Sequence, residues 1–189
     1  MKAHDWDARY ETEGVWSREP NAWVEATLRH LDPGTAVDLA AGEGRNALWL
    51  ASLGWEVTAV DFSSVGLATG RARAAESGVD VEWVTADATT WVSPQLVDLV
   101  LIAYLQVPTE QLALAIGTAA GYLAPGGTLA IVGHDRAGAV GGPKDPALLY
   151  TVEELRAAAS GLEIVTCESV ERVTDAGVAL DTVLVARAG

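Results

Sequence analysis

Between about residue 20 and residue 135 the apolar positions switch repeatedly between helical and strand spacing. Val24, Leu28 and Leu31 form a helical stripe behind Asn21, a side chain suited to capping, and Asp32-Pro33-Gly34 stops it. A short strand over 36–40 comes next, then a helix with Ala47, Leu50 and Ala51 on one face, closed by Gly54. Residues 56–60 predict a second strand, Ser63 or Ser64 caps a helix running to Ser77-Gly78, and 81–85 predict a third strand. The run 97–103 is apolar at both parities, as a parallel strand covered on two faces requires. A helix over 108–123, a turn at Pro125-Gly126-Gly127 and a strand over 128–132 continue the alternation, which is the pattern of an α/β fold.

The last third differs. Residues 133–150 make a glycine-rich loop, of a length that goes with function or mobility, and Thr151-Val152-Glu153-Glu154 is a capping box that opens a final helix. Strand patterns over 163–170 and 178–186 flank a polar turn at Thr174-Asp175-Ala176-Gly177, which predicts an antiparallel hairpin. No repeat, low-complexity tract or linker divides the chain. The expectation is one domain over 1–189, with 1–20 as a separate N-terminal segment and 21–189 as the core.

Composition narrows the function classes. Half of the 189 residues are apolar and 20% are charged, enough for a sizeable core. Twelve Lys and Arg against 26 Asp and Glu leave a net charge of -14, which argues against a nucleic-acid partner and an anionic membrane. Cys167 is the one cysteine, so neither an internal disulfide nor a CxxC zinc pair can form, and inside a terminal strand it reads as a packing residue. The first residues lack an apolar leader core, and 99–107 is too short to span a bilayer, so the reading is a soluble cytoplasmic protein with no metal.

The chemistry-bearing stretch is Val37-Asp38-Leu39-Ala40-Ala41-Gly42-Glu43-Gly44-Arg45-Asn46, a strand turning tightly into a helix with glycines that admit a ligand to the backbone. Asp61 ends the next strand nineteen positions after Gly42 (61 - 42 = 19), where a carboxylate can accept the hydroxyl protons of an adenosine ribose. Gly42-x-Gly44-x-x-Ala47 also satisfies the dinucleotide fingerprint. Charge separates the two cofactors: a pyrophosphate would meet Asp38 and Glu43, whereas S-adenosylmethionine, with a sulfonium and an ammonium, gains from Asp38. S-adenosylmethionine is therefore preferred. An NAD(P)-dependent oxidoreductase is the alternative, and a non-catalytic S-adenosylmethionine sensor is a third reading.

Asp38-Leu39-Ala40-Ala41-Gly42-Glu43-Gly44-Arg45-Asn46, Val60-Asp61-Phe62-Ser63, Ala86-Asp87-Ala88 and Leu123-Ala124-Pro125-Gly126-Gly127 together resemble class I S-adenosylmethionine-dependent methyltransferases. The Gly-Arg-Asn ending of the first loop and Trp6-Asp7-Ala8-Arg9-Tyr10 resemble the branch that holds tellurite-resistance and thiopurine methyltransferases. The resemblance implies a Rossmann-like, seven-stranded, mainly parallel sheet with helices on both faces and an antiparallel last strand. It places Ala40, Gly42 and Gly44 around the methionine part, with Asp38 near its ammonium or a bridging water, Arg45 near its carboxylate and the Ala103 carbonyl on the ammonium. Asp61 then takes the ribose, Phe62 lies against adenine, and Asp87 with Ala88 reads the adenine edge. Two departures stand out: Ala40 replaces the usual first glycine, to be absorbed by a slightly wider loop, and Glu171-Arg172 stands where the tellurite-resistance branch has a His-Arg pair.

On the acceptor side, His134 follows the fifth strand at the edge where open α/β sheets bind ligands, and its ordinary pKa suits a general base. The competing role there is loop anchoring through Asp135. Tyr104 and Gln106, after the central strand, are placed to line an acceptor pocket, and Tyr10 and Trp16, with Trp6, are read as a lid over it. Trp49, Trp55, Trp83 and Trp91 are read as packing residues. The expected partner is a small-molecule acceptor with a thiol, chalcogen, oxygen or nitrogen nucleophile.

Overall fold

In the computed structural model, which describes Asp7 and residues 17–189, the alternation resolves into one seven-stranded sheet and five α-helices among the described residues. The strands are β1 (Thr35–Leu39), β2 (Glu56–Asp61), β3 (Glu82–Thr85), β4 (Val97–Ala103), β5 (Leu123–His134), β6 (Glu163–Thr174) and β7 (Gly177–Arg187). The helices are α1 (Ala22–Leu28), α2 (Arg45–Ser52), α3 (Ser64–Ser77), α4 (Thr109–Ala120) and α5 (Val152–Ala158). The strand order is β3-β2-β1-β4-β5-β7-β6, with β1 to β5 parallel and β7 antiparallel to both of its neighbours. This is the doubly wound, Rossmann-like architecture expected, its last strand reversed.

Strand periodicity sorts the core onto two faces. Val37, Leu39, Val100, Ile102, Leu129 and Ile131 face α4 and α5, where Leu112, Ile116 and Leu155 meet them. Their neighbours Ala36, Leu99, Leu101, Ala130 and Val132 face the opposite way, onto Val24 and Leu28 of α1 and Ala47 and Leu50 of α2. Each fully buried Leu or Ile contributes about 1.5–3 kcal/mol, so the central strands β1, β4 and β5 are the rigid part of the molecule. The four tryptophans read as packing residues join these clusters; Trp83 fills the space that a Cβ on Gly44 or Gly70 would occupy, 2.4 Å away in either case.

Three boundaries depart from the sequence reading. Ala40 is not the end of β1 but a left-handed residue after it. Helix α4 stops at Ala120, and Leu123 already pairs with Val97. Pro125-Gly126-Gly127 is consequently a bulge inside β5: the pairing jumps from Val97–Leu123 to Leu99–Thr128. A helix-forming run was outcompeted there by pairing with a buried strand.

The glycine-rich loop is closed at its neck. Tyr150 N–H donates to the His134 carbonyl at 3.0 Å and Arg136 N–H to the Tyr150 carbonyl at 2.9 Å. The Arg136 guanidinium grips both carboxylate oxygens of Glu154 at 2.8 and 2.9 Å. Among the described residues no helix is long and apolar enough to cross a membrane, and no group of His, Cys, Asp and Glu is arranged to hold a metal ion. Cys167 is a half-buried strand residue whose Sγ lies 3.5 Å from the Val152 carbonyl.

Candidate functional site

The carboxyl ends of β1, β2, β4 and β5 open onto one cleft. Leaving β1, the chain takes positive φ at Ala40 (61°), Gly42 (58°) and Gly44 (74°). For the two glycines this conformation is free of Cβ strain, whereas at Ala40 it costs about 1–2 kcal/mol. The missing first glycine is thus absorbed by a strained alanine and not by a wider loop. Asp61 ties the loop to the next turn: Gly42 N–H donates to its Oδ2 at 2.9 Å and Ser63 N–H to its Oδ1 at 2.8 Å. Each oxygen retains acceptor capacity for a ligand hydroxyl. Burial pushes the Asp61 pKa up, against those two hydrogen bonds.

Asp38 lies behind this loop, 1% exposed. No donor meets either of its oxygens with hydrogen-bond geometry. Burial, reinforced by the charge of Asp61, pushes its pKa up to about 7, with the Ala47 amide and Arg45 drawing it only partly back. A carboxylate this buried and only partly compensated is costly, and a cation brought to it would reduce that cost. Glu43 is different: its Oε2 is 3.0 Å from Arg73 Nη1 with both side chains largely buried. The argument against a pyrophosphate therefore loses Glu43, whose charge is already neutralised, and rests on Asp38.

Two cavities share the walls Ala40, Tyr104 and Gln106 and so form one cleft. The smaller, about 120 Å³, is lined by Asp61, Phe62, Asp87 and Ala88. Asp87 also caps its own turn, its Oδ1 accepting from the N–H and Oγ1 of Thr89 at 2.8 and 2.7 Å, while the residue itself lines the cavity. The larger, about 370 Å³, is lined by Gly42, Arg45, Ala103, His134 and Arg172. Gly44 lies behind the loop as the N-cap of α2. Tyr10 and Trp16, like Trp6, fall outside the described residues.

The far wall of the larger cavity is organised by Asp181, which pairs across β5–β7 with His134 and is 2% exposed. It accepts from Tyr104 Oη at 2.7 Å and from Arg172 Nε at 2.6 Å. His134 Nδ1 is 3.4 Å from Asp181 Oδ1, an ion-pair distance without hydrogen-bond alignment. Burial alone would raise the Asp181 pKa, but His134, Arg172 and Tyr104 outweigh it and hold the carboxyl at about 2. Tyr104, left-handed at φ 56°, stacks on His134 with centroids 4.6 Å apart and lies under the Arg172 guanidinium. Burial and the Asp181 charge push its pKa up, so the phenol stays neutral. The anchoring role falls to Asp135, which accepts from Ala137 N–H at 2.8 Å, from Thr182 Oγ1 at 2.9 Å and from Ser169 Oγ.

Sequence reasoning missed three residues of this wall. Asn21 was seen only as a helix cap, which it is, but its Nδ2 also donates to Tyr104 Oη at 3.1 Å and its N–H to Asn46 Oδ1 at 3.0 Å. Arg172 was noted only as a departure from a branch pattern. Asp181 was overlooked; its signal was a carboxylate inside the apolar run of β7.

Residues 36–127 match the family model described as a methyltransferase domain. No curated protein matches the chain by sequence. Among solved structures, TehB from Haemophilus influenzae superposes with a TM-score of 0.78 at 18% identity, over 100% of this chain and 68% of that one. A structure described as the conversion of a disulfide bond into a thioacetal group during echinomycin biosynthesis gives 0.77 at 21%, over 98% of this chain and 92% of that one. The N-methyltransferase NodS from Bradyrhizobium japonicum WM9, in complex with S-adenosyl-L-homocysteine, gives 0.72 at 16%, over 98% and 97%.

Proposed function

We propose that the chain, which carries a match to a methyltransferase domain over residues 36–127, is an S-adenosylmethionine-dependent methyltransferase whose acceptor is a small anionic nucleophile held between Arg172, His134 and Tyr104. Its cofactor, S-adenosylmethionine, supplies an electrophilic methyl group on a sulfonium sulfur. The observation that carries the cofactor assignment is the buried, under-compensated carboxylate of Asp38 behind the glycine loop, which fits an ammonium and opposes a pyrophosphate. The remaining roles follow the walls of the cleft. Ala40 and Gly42 bring backbone to the methionine part, with Gly44 shaping the loop from behind, Arg45 faces its carboxylate, and the Ala103 carbonyl accepts from its ammonium. Asp61 uses its unspent lone pairs on the ribose hydroxyls, Phe62 covers the adenine, and Asp87 with Ala88 meets its polar edge.

For the acceptor, the supporting feature is a wall of hydrogen-bond donors: Arg172, although paired with Asp181, has guanidinium N–H groups to spare. A guanidinium held by Asp181 beside an imidazole favours an anion over an amine. Its rigid support by Asp181, Tyr104 and Asn21 suits an in-line displacement, in which most of the acceleration comes from aligned reactants. A thiolate or other soft anion needs no base, and His134 then only orients it. An alcohol or phenol must lose its proton, and His134 would take it. The mouth of the larger cavity is bounded by Ser17, Pro20 and Asn21; the lid role of Tyr10 and Trp16 is proposed from the sequence.

Calorimetric titration with S-adenosylmethionine, S-adenosylhomocysteine and NAD tests the cofactor, with Asp61→Ala as control. Binding of the adenosyl ligands alone, abolished in the variant, is expected; binding of NAD instead would move the protein to the oxidoreductases. Turnover against anionic thiols, phenols and amines tests the acceptor class, and efficient amine methylation without anion turnover refutes it. Binding without turnover of any acceptor would favour the sensor reading.

A further inference from the structure

Tyr150 belongs to neither cavity, yet it is one of the largest fully buried side chains in the molecule, at 2% exposure. It stands at the neck of the glycine-rich loop, and its ring occupies the space next to Gly133, where a Cβ would come within 2.7 Å of it. Its hydroxyl crosses to the segment after β4: it donates to the Leu105 carbonyl, accepts from Val107 N–H at 3.3 Å and lies 3.1 Å from the Val107 carbonyl. That segment forms the stretch Leu105-Gln106-Val107 of the smaller cavity wall, facing Asp61, Phe62 and Asp87 across it. It leaves the sheet through Tyr104, a left-handed non-glycine residue, so its path is not one the local backbone would choose.

We propose that Tyr150 is a positioning residue for the cofactor: its hydroxyl fixes the Leu105–Val107 backbone and thereby the shape of the cavity that receives the adenosine half. The inference rests on the cofactor assignment made above. The clamp is one-sided, because the loop end that supplies it is stitched to β5 through His134 and Arg136, while Leu105–Val107 connects β4 to α4 with one short backbone bond of its own, Val107 N–H to the Leu105 carbonyl at 3.1 Å, and with Leu105 and Val107 packed on the core. Burial holds the phenol neutral to about pH 12, so it remains a donor throughout the working range. Without the hydroxyl the segment keeps its ring packing but loses the bonds that select one backbone path, and binding must then pay to order it.

The experiment uses the full chain and Tyr150→Phe, which retains the ring. Three quantities are measured: the Kd for S-adenosylhomocysteine by calorimetry, hydrogen exchange at the Val107 amide without ligand, and KM and kcat with S-adenosylmethionine. The expected result is a Kd and KM raised about 5- to 20-fold, with kcat at saturation changed less than twofold, and faster exchange at Val107. A variant that melts earlier but binds with the parent's Kd shows a purely structural tyrosine and overturns the proposal. Unchanged exchange at Val107 overturns it as well. Gly133→Ala, which displaces the ring by contact, should reproduce the Kd change, and unaltered binding there would contradict the clamp. If the parent chain itself binds no adenosyl ligand, the cofactor assignment fails, a result separable from a failure of the clamp.

Discussion

Replacing Asp38 with asparagine should stabilise the ligand-free protein at pH 8 while destroying its ability to bind cofactor. The carboxyl titrates near 7 in the folded protein against a reference value of 3.8. Between about pH 4 and 7 the folded chain holds a proton that the unfolded chain has released, so this group's contribution to stability declines as pH rises through that window. Above it, the folded protein carries the whole penalty, about 3 units at 1.36 kcal/mol each, or roughly 4 kcal/mol. Asparagine has the same shape and no charge. Its own unpartnered amide costs about 1–3 kcal/mol, leaving a net gain of about 1–3 kcal/mol at pH 8 and a loss or no change at pH 5, where the aspartic acid is already protonated. For a chain of 189 residues that is about 2–10 °C in melting temperature. Urea unfolding of both proteins at pH 5 and pH 8, without ligand, measures it, and calorimetry with S-adenosylhomocysteine supplies the second half. Equal or lower stability of Asp38→Asn at pH 8 would refute the burial argument; undiminished ligand affinity would refute the ammonium contact.

Other substitutions probe the loop and the far wall. Ala40→Gly removes a left-handed alanine and should raise stability by about 0.5–1 kcal/mol, read as a shift in the urea midpoint, after the greater freedom of the unfolded glycine is deducted. Gly44→Ala adds both positive-φ strain and a Cβ 2.4 Å from the Trp83 ring, so a loss of about 2–4 kcal/mol by the same measurement is expected. Asp181→Asn should lower kcat at least tenfold and stability by about 1–3 kcal/mol, discounted because Arg172 is 30% exposed. Since Asp181 titrates near 2, its stabilisation is complete above about pH 4 and is lost only as pH falls towards 2; a melting profile of the parent minus that of the variant, flat from pH 5 to 8, would show this. His134→Ala should slow oxygen acceptors far more than thiols, and equal losses on both would end its assignment as a base.

The fold was legible because the central strands advertise themselves: a run apolar at both parities such as Val97–Ala103 fits only a buried parallel strand. The clustering of Ala40, Gly42, Asp61, Phe62, Asp87 and Ala88 on one cleft was legible for a related reason, since they lie within short loops whose glycine spacing and following carboxylate are local features of sequence. The far wall was not. Asp181 reaches His134 only through antiparallel pairing of strands more than forty positions apart, and Arg172 reaches Asp181 across the terminal hairpin. Periodicity locates strands but does not state which will be neighbours. Ala40 shows the same limit in the backbone: its left-handed φ is imposed by Ala41 and Gly42 bonding to β2 and Asp61, and alanine's own preference points elsewhere.

The hairpin of β6 and β7 joins the sheet along a single seam, the pairing of β7 with β5. The glycine loop, Asp61 and Asp87 precede it in the chain by more than seventy residues, while Arg172 and Asp181 are carried on it alone. Under the roles proposed above, the methyl donor's seat lies upstream of the hairpin, which adds Arg172 and Asp181 to a recipient's wall begun by Tyr104 and His134. On that proposal, variation confined to the terminal hairpin is expected to change what is methylated more than how the donor is held, provided the β5 register is kept.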